Sequence, residues 1–232
     1  MRPTSPRELA RFIDHTLLKP EATARQIEKL CAEAIQAGFA TVCVNGSRVR
    51  YAARCLTGSH VLVAAVVGFP LGAMSTRLKA LEAESAVADG ASEIDMVLAI
   101  GQLKDGALDH VRRDISEVVR ASGTAKVKVI LECCLLTAEE KTSACRLAVE
   151  AGAAMVKTST GFSSGGATLD DVRLMRSLVP GTVGVKAAGG IRDLGTALAM
   201  IEAGATRLGT SSGLALVQGF MGGTSGEESS AY

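Results

Sequence analysis

The stretch RLAVEAGAAMVKTS, residues 146–159, reads as the end of an alanine-rich helix, a glycine, and a short apolar strand that finishes on a lysine. Three other stretches share the pattern: AEAIQAGFATVCVN (32–45), SAVADGASEIDMVL (85–98) and LAMIEAGATRLGTS (198–211). Their glycines, Gly38, Gly90, Gly152 and Gly204, are spaced 52, 62 and 52 residues apart. A glycine there suits the left-handed residue that ends a helix, because it has no Cβ to clash. Each interval is about two strand–helix units long, so a second unit belongs inside each. The missing strands are FIDHTLL (12–18), VLVAAVVG (61–68), KVKVILE (126–132) and TVGVKAAG (182–189). Helical patterns fill 23–37, 75–89, 108–122, 138–151, 168–179 and 193–203. Apolar strands alternating with helices argue for a parallel sheet covered by helices. Eight such units in 232 residues predict an α/β fold, a single (β/α)8 barrel over 1–220 followed by a flexible Gly/Ser-rich tail, 221–232. The competing open, doubly wound sheet usually carries G-x-G-x-x-G after its first strand, and none stands there.

The repeat also gives side-chain directions. Five residues after each glycine stand Cys43, Asp95, Lys157 and Gly209, on strands two, four, six and eight. Alternate strands of such barrels supply one interior layer, so Asp95 and Lys157 are expected to face the same interior. Lys186, in VKAAGGI (185–191), reaches it from strand seven. Two lysines side by side in an apolar barrel disfavour each other's charge, and burial disfavours both. A lysine left neutral near pH 7 is a nucleophile that forms Schiff bases with carbonyls. Asp95 is placed to move protons with the second lysine. Glu132 is expected to orient a lysine or to play a structural part. Lys126 and Lys128 are read as snorkelling to solvent or pairing with helix carboxylates. Cys43 is read as a small buried hydrophobe. Glycine turns with Gly161, Gly189 and Gly190, and the stretch GTSSG (209–213) with Ser211 and Ser212, converge on one rim. Such amides favour a phosphate, although the two serines also suit plain helix caps.

Composition removes other classes. The net charge is +1 with no long run of one sign, aromatics are 3% and tryptophan is absent, so no nucleic-acid partner is expected. The amino terminus lacks the apolar core of a signal peptide, and the longest apolar run, 61–69, is about half a membrane span. No membrane association is expected. Six cysteines without a C-x-x-C pair suggest reduced thiols and a cytoplasmic location. The three histidines match no metal spacing, so no metal is expected.

FIDHTLLKP, VCVN, EIDMVL, VKTSTGF, GGATLDDVRLM and VKAAGGIR together resemble the deoxyribose-phosphate aldolase family from about residue 9 to 214. The resemblance implies a class I, Schiff-base aldolase with no metal or organic cofactor. Its implied partners are a phosphosugar and an aldehyde, its role the breakdown of deoxynucleosides, and its assembly a homodimer. By the same resemblance Lys157 is the Schiff-base lysine, and Lys186 and Asp95 form the proton relay. Gly161, Gly189, Gly190, Ser211 and Ser212 contact phosphate, and Asp14 and Thr16 line the site. Gly46, after VCVN, and Ser163–Ser164 depart from the family pattern without touching the chemistry. Tyr232 is a further candidate for proton transfer. Another Schiff-base phosphosugar aldolase or transaldolase, or a phosphosugar-binding barrel without turnover, fits the same residues less closely.

Overall fold

A computed structural model describes residues 2–222. All four repeat glycines adopt positive φ, from 75° at Gly38 to 115° at Gly204, and each hands a helix to a strand. The strands are β1 Ile13–Leu17, β2 Thr41–Val44, β3 Leu62–Val67, β4 Glu93–Val97, β5 Lys126–Ile130, β6 Met155–Lys157, β7 Gly184–Ala188 and β8 Arg207–Thr210. They pair in parallel in sequence order, and β8 closes on β1 to make a barrel. The helices are α1 Pro6–Ala10, α2 Ala24–Ala37, α3 Val49–Cys55, α4 Thr76–Ala88, α5 Ile100–Lys104, α6 Leu108–Ala121, α7 Ala138–Glu150, α8 Leu169–Leu178, α9 Leu194–Glu202 and α10 Gly213–Gly222. The expected (β/α)8 barrel is therefore the observed fold. The last helix runs two residues into the stretch read as a tail. Residues 223–232, with Tyr232, lie outside the described residues.

Besides α10, which follows GTSSG, three helices stand outside the six helical patterns of the sequence. α1 and α5 have five residues each, too few to show a helical period. α1 nevertheless carries a start signal: Ser5 accepts the Glu8 amide N–H and Pro6 follows at the first turn. α3 has seven residues, is entered through a 3-10 turn at Gly46–Arg48, and lacks a side-chain cap, so it left little mark on the sequence.

The barrel sorts its residues by parity. Outward positions such as Val42, Val63, Ile94, Met96, Val129, Val156, Val185 and Leu208 join the helices in one large apolar core. Inward positions near the mouth form a small separate cluster of Leu18, Cys43, Ala64 and Val66, with Phe69 against it. At about 25 cal/mol per Å² of buried apolar surface, the outer core is the main source of stability.

Outside the barrel, Lys79 of α4 is fully buried and paired with Asp114 of α6 at 2.7 Å. Its ammonium also donates to the carbonyl of Val97, at the end of β4. Thr76 Oγ1 completes the carboxylate's bonding at 2.8 Å. This cluster ties two helices to the strand that carries Asp95. Truncating one partner of such a pair leaves a buried charge without compensation. Asp114→Ala is expected to cost about 3–5 kcal/mol in a urea denaturation. Joint replacement by apolar residues, Lys79→Met with Asp114→Leu, recovers most of that loss.

Candidate active site

The inner face of the barrel holds charges where aliphatic side chains usually pack. β4 turns Asp95 inward, β6 brings Lys157 and β7 brings Lys186, with Lys157 and Lys186 directly opposite in register. Asp95 Oδ2 accepts from both amines, at 2.8 Å from Lys157 Nζ and 2.7 Å from Lys186 Nζ. Its other oxygen accepts from Lys128 Nζ at 2.7 Å. Lys186 also donates to Asp14 Oδ2 at 2.5 Å. Gly209, the fourth repeat position, lacks a side chain where one is impossible: a Cβ there would stand 3.0 Å from Lys186 Cε and 2.9 Å from the Ala188 Cβ.

Lys128 corrects the sequence reading. Its side chain is wholly buried, bonded to Glu93 at 2.5 Å as well as to Asp95, with Asp14 at 3.5 Å. Lys126, two residues earlier on the same strand, is exposed. Glu93 and Arg207 were absent from the sequence reading altogether. They stand three residues after their repeat glycines, two before Asp95 and Gly209, so period-two alternation points them to the same interior. That parity was the available signal.

Glu132 is not part of the lysine cluster. It accepts from the Thr160 amide N–H at 3.2 Å and from the Thr160 hydroxyl, holding the loop that follows Lys157. It does so at φ 57°, a left-handed conformation that costs a non-glycine residue roughly 1–2 kcal/mol. Cys43 lies in the apolar cluster. Burial, reinforced by Asp95, pushes its thiol up, so it stays protonated and serves as wall.

The charges divide by their partners. Burial pushes Lys157 down; Asp95 opposes this and Lys186 adds to it, leaving the amine below the ordinary lysine value. Burial also acts on Lys186, but Asp14 and Asp95 outweigh it and hold this ammonium above the ordinary value. Lys128 is likewise held up, chiefly by Asp95, against its burial. Asp95 and Asp14 are buried as well, yet their cationic neighbours keep both well below the usual carboxylate range.

A cavity of about 320 Å³ opens above this cluster. Lys157, 3% exposed, is on its wall, whereas Asp95 and Lys186 lie beneath at 0%. Thr16, Gly161, Gly189, Gly190 and Ser211 also line it. Thr16 hydroxyl donates to the Asp14 carbonyl. Asp14 itself sits below the cavity, among the charges. Ser212 stands off the wall at the start of α10, where its amide N–H donates to Thr210 Oγ1. Gly161, Gly189 and Gly190 have φ of 83°, 88° and 82°. Gly166 packs so closely that a Cβ would stand 2.4 Å from the Gly189 carbonyl oxygen. At these glycines the rim presents backbone, as anion-binding turns do, with Arg192 and Ser211 beside it. Next to Gly161, Phe162 meets Phe69 edge to face at 5.1 Å. Among the described residues, no group of His, Cys, Asp and Glu has the makings of a metal site. No described helix is long and apolar enough to cross a membrane.

Comparison with known proteins agrees with this geometry. Residues 9–219 match the family described as DeoC/LacD family aldolase. The deoxyribose-phosphate aldolase of Bdellovibrio bacteriovorus is 60% identical over 212 residues, which cover 91% of this chain and 96% of that one. The same enzyme from Thermococcus gammatolerans is 60% identical over 216 residues, with the same coverage. A tetrameric deoxyribose phosphate aldolase structure from Aeropyrum pernix superposes with a TM-score of 0.89 at 34% identity, covering 95% of this chain and 94% of that one. A closed parallel barrel, a buried lysine pair on one carboxylate, and a match along nearly the whole sequence place this chain in the DeoC/LacD aldolase family.

Proposed function

We propose that this barrel reversibly cleaves 2-deoxy-D-ribose 5-phosphate to D-glyceraldehyde 3-phosphate and acetaldehyde, with Lys157 as the imine-forming nucleophile. One observation carries the assignment of Lys157. Among the described cations of the cluster it is the one on the cavity wall, and it shares its single carboxylate oxygen with Lys186. The high identity to deoxyribose-phosphate aldolases supports the substrate.

Neutral Lys157 Nζ adds to C1 of the open-chain sugar, and the carbinolamine loses water to give a protonated imine. The imine is the electron sink, so the reaction calls on no metal or organic cofactor. Acetaldehyde carries C1 and C2, and the phosphorylated product carries C3 to C5; the bond that breaks is therefore C2–C3. Its electron pair flows into the imine while the C3 hydroxyl gives up its proton and becomes the new aldehyde. The enamine on Lys157 is then protonated at C2 and hydrolysed, releasing acetaldehyde. Asp95 and Lys186 move the protons, through water where they do not reach. Gly161, Gly189, Gly190 and Ser211 offer backbone and hydroxyl donors to the phosphate, and Ser212 caps the helix behind them. Thr16 borders the same space, with Asp14 holding Lys186 from below. Leu17 and Leu18 give the cavity apolar side chains, backed by the buried cluster of Cys43, Ala64 and Val66. A cytoplasmic homodimer acting in deoxynucleoside breakdown completes the proposal; the tetrameric Aeropyrum pernix relative supports assembly from more than one copy.

Lys157→Leu is expected to lower turnover of 2-deoxyribose 5-phosphate by roughly 10³-fold or more while circular dichroism stays unchanged, since the imine is lost with its amine. Substantial turnover by that variant overturns the assignment. The acid limb of kcat/KM reports the same amine: protonated Lys157 is inert, so the rate rises with pH as its proton leaves. That limb is expected below the ordinary lysine value of about 10.4. A rate that begins to rise only above that value contradicts a depressed Lys157.

A further inference from the structure

Beneath the reacting groups lies a pair that the chemistry above does not use. Arg207, at the start of β8, donates from Nη1 to Asp14 Oδ1 at 2.6 Å and to Glu93 Oε2 at 3.0 Å, and from Nη2 to Glu93 Oε1 at 3.3 Å. Glu93 also accepts Lys128 at 2.5 Å. Neither residue lines the cavity or touches Lys157. Both are joined to it through chains of ion pairs, Glu93 through two intervening ions, Lys128 and Asp95, and Arg207 through three, Asp14, Lys186 and Asp95.

Among the described residues, the interior holds four cationic groups, Lys128, Lys157, Lys186 and Arg207, against three carboxylates, Asp14, Glu93 and Asp95. Fully ionised, they leave one positive charge without a match in an interior where six of the seven side chains are buried and Arg207 is 13% exposed. An unmatched buried ion is costly, and the usual relief is loss of the proton. Lys128 reaches three carboxylates, and Lys186 and Arg207 reach two each. Lys157 reaches one. A guanidinium does not release a proton in proteins, so Arg207 contributes a charge that cannot adjust. The groups that face Lys157 are Asp95 of β4, Lys186 of β7 and Cys43 of β2. Behind them stand Lys128 of β5, Asp14 of β1, Glu93 of β4 and Arg207 of β8; β3 offers only Ala64 and Val66.

We propose that Glu93 and Arg207 are positioning residues for the aldolase reaction: each charge biases the proton on Lys157 in the direction opposite to the other, and their pairing holds the surplus of the network at a single positive charge, which leaves the amine of Lys157 as the uncharged one. The proposal rests on Lys157 being the imine-forming residue, and its test separates the two. The rate at which acetaldehyde and borohydride label Lys157 is measured against pH in the full-length protein and in four variants. Glu93→Gln removes a negative charge, so Lys157 loses its proton more readily and the rising limb moves to lower pH. Arg207→Met removes a positive charge and moves the limb to higher pH. A single charge at this remove is worth on the order of one pH unit in each case. The double variant returns the limb close to its starting position, and Arg207→Lys, which keeps the charge, leaves it there. A merely structural role does not produce opposite shifts that cancel. Limbs that move the same way, or do not move in folded variants, overturn the proposal while the labelling of Lys157 stands. If Glu93→Gln does not fold, Arg207→Met against Arg207→Lys decides alone. If the unaltered protein is not labelled on Lys157 at all, the aldolase assignment fails first.

Discussion

Everything in this barrel depends on the cost of holding six ionisable side chains, and most of a seventh, Arg207, away from water. Each buried ion forfeits several kcal/mol of hydration, and attraction repays it only where the partners are close and fully bonded. The interior meets that condition by interleaving signs across strands: Asp14 and Asp95 sit between lysines of β5, β6 and β7, and Glu93 sits between Lys128 and Arg207. The arrangement demands fixed strands. The large apolar core between barrel and helices fixes them from outside, and the Lys79–Asp114 pair anchors the end of β4. On the proposal made here the same constraint selects the reactive group, because compensation is poorest at Lys157, where the cavity begins.

The mouth above this network is divided. On the side of β6, β7 and β8 it exposes glycine turns and backbone donors, suited to an anion. On the side of β1 it offers Thr16, Leu17, Leu18 and Lys19, with the buried cluster of Cys43, Ala64 and Val66 packed behind Leu18. Lys157 lies on the wall of the cavity that opens here. A substrate with a phosphate at one end suits the glycine side of that mouth. Glu132 serves it indirectly, bracing Thr160 so that the turn through Gly161 is held in place.

Much of this is legible in the chain. The repeat glycines mark helix ends, and their spacing alone implies eight strand–helix units. The fifth position after each glycine points to Asp95 and Lys157, which the structure brings within 2.8 Å. What escaped did so for physical reasons. Lys128 looks like a surface residue because lysine seldom lies buried, and only its in-register neighbour Asp95 explains why it does. Glu93 and Arg207 share the parity of the repeat yet stand one layer deeper, where the sequence offers no reason to expect charge. The short α1, α3 and α5 lack the length for a helical period. The left-handed turn at Glu132 has no sequence signature, since glycine usually occupies such a conformation.

The most direct test of the account is to ask which lysine carries a carbonyl. The protein is incubated with acetaldehyde at neutral pH, reduced with borohydride, digested and mapped by mass spectrometry. One ethyl group on Lys157, with Lys128 and Lys186 unmodified, is the result the charge balance predicts. An adduct on Lys186, or labelling confined to surface lysines, contradicts it, because the uncharged amine would then lie elsewhere.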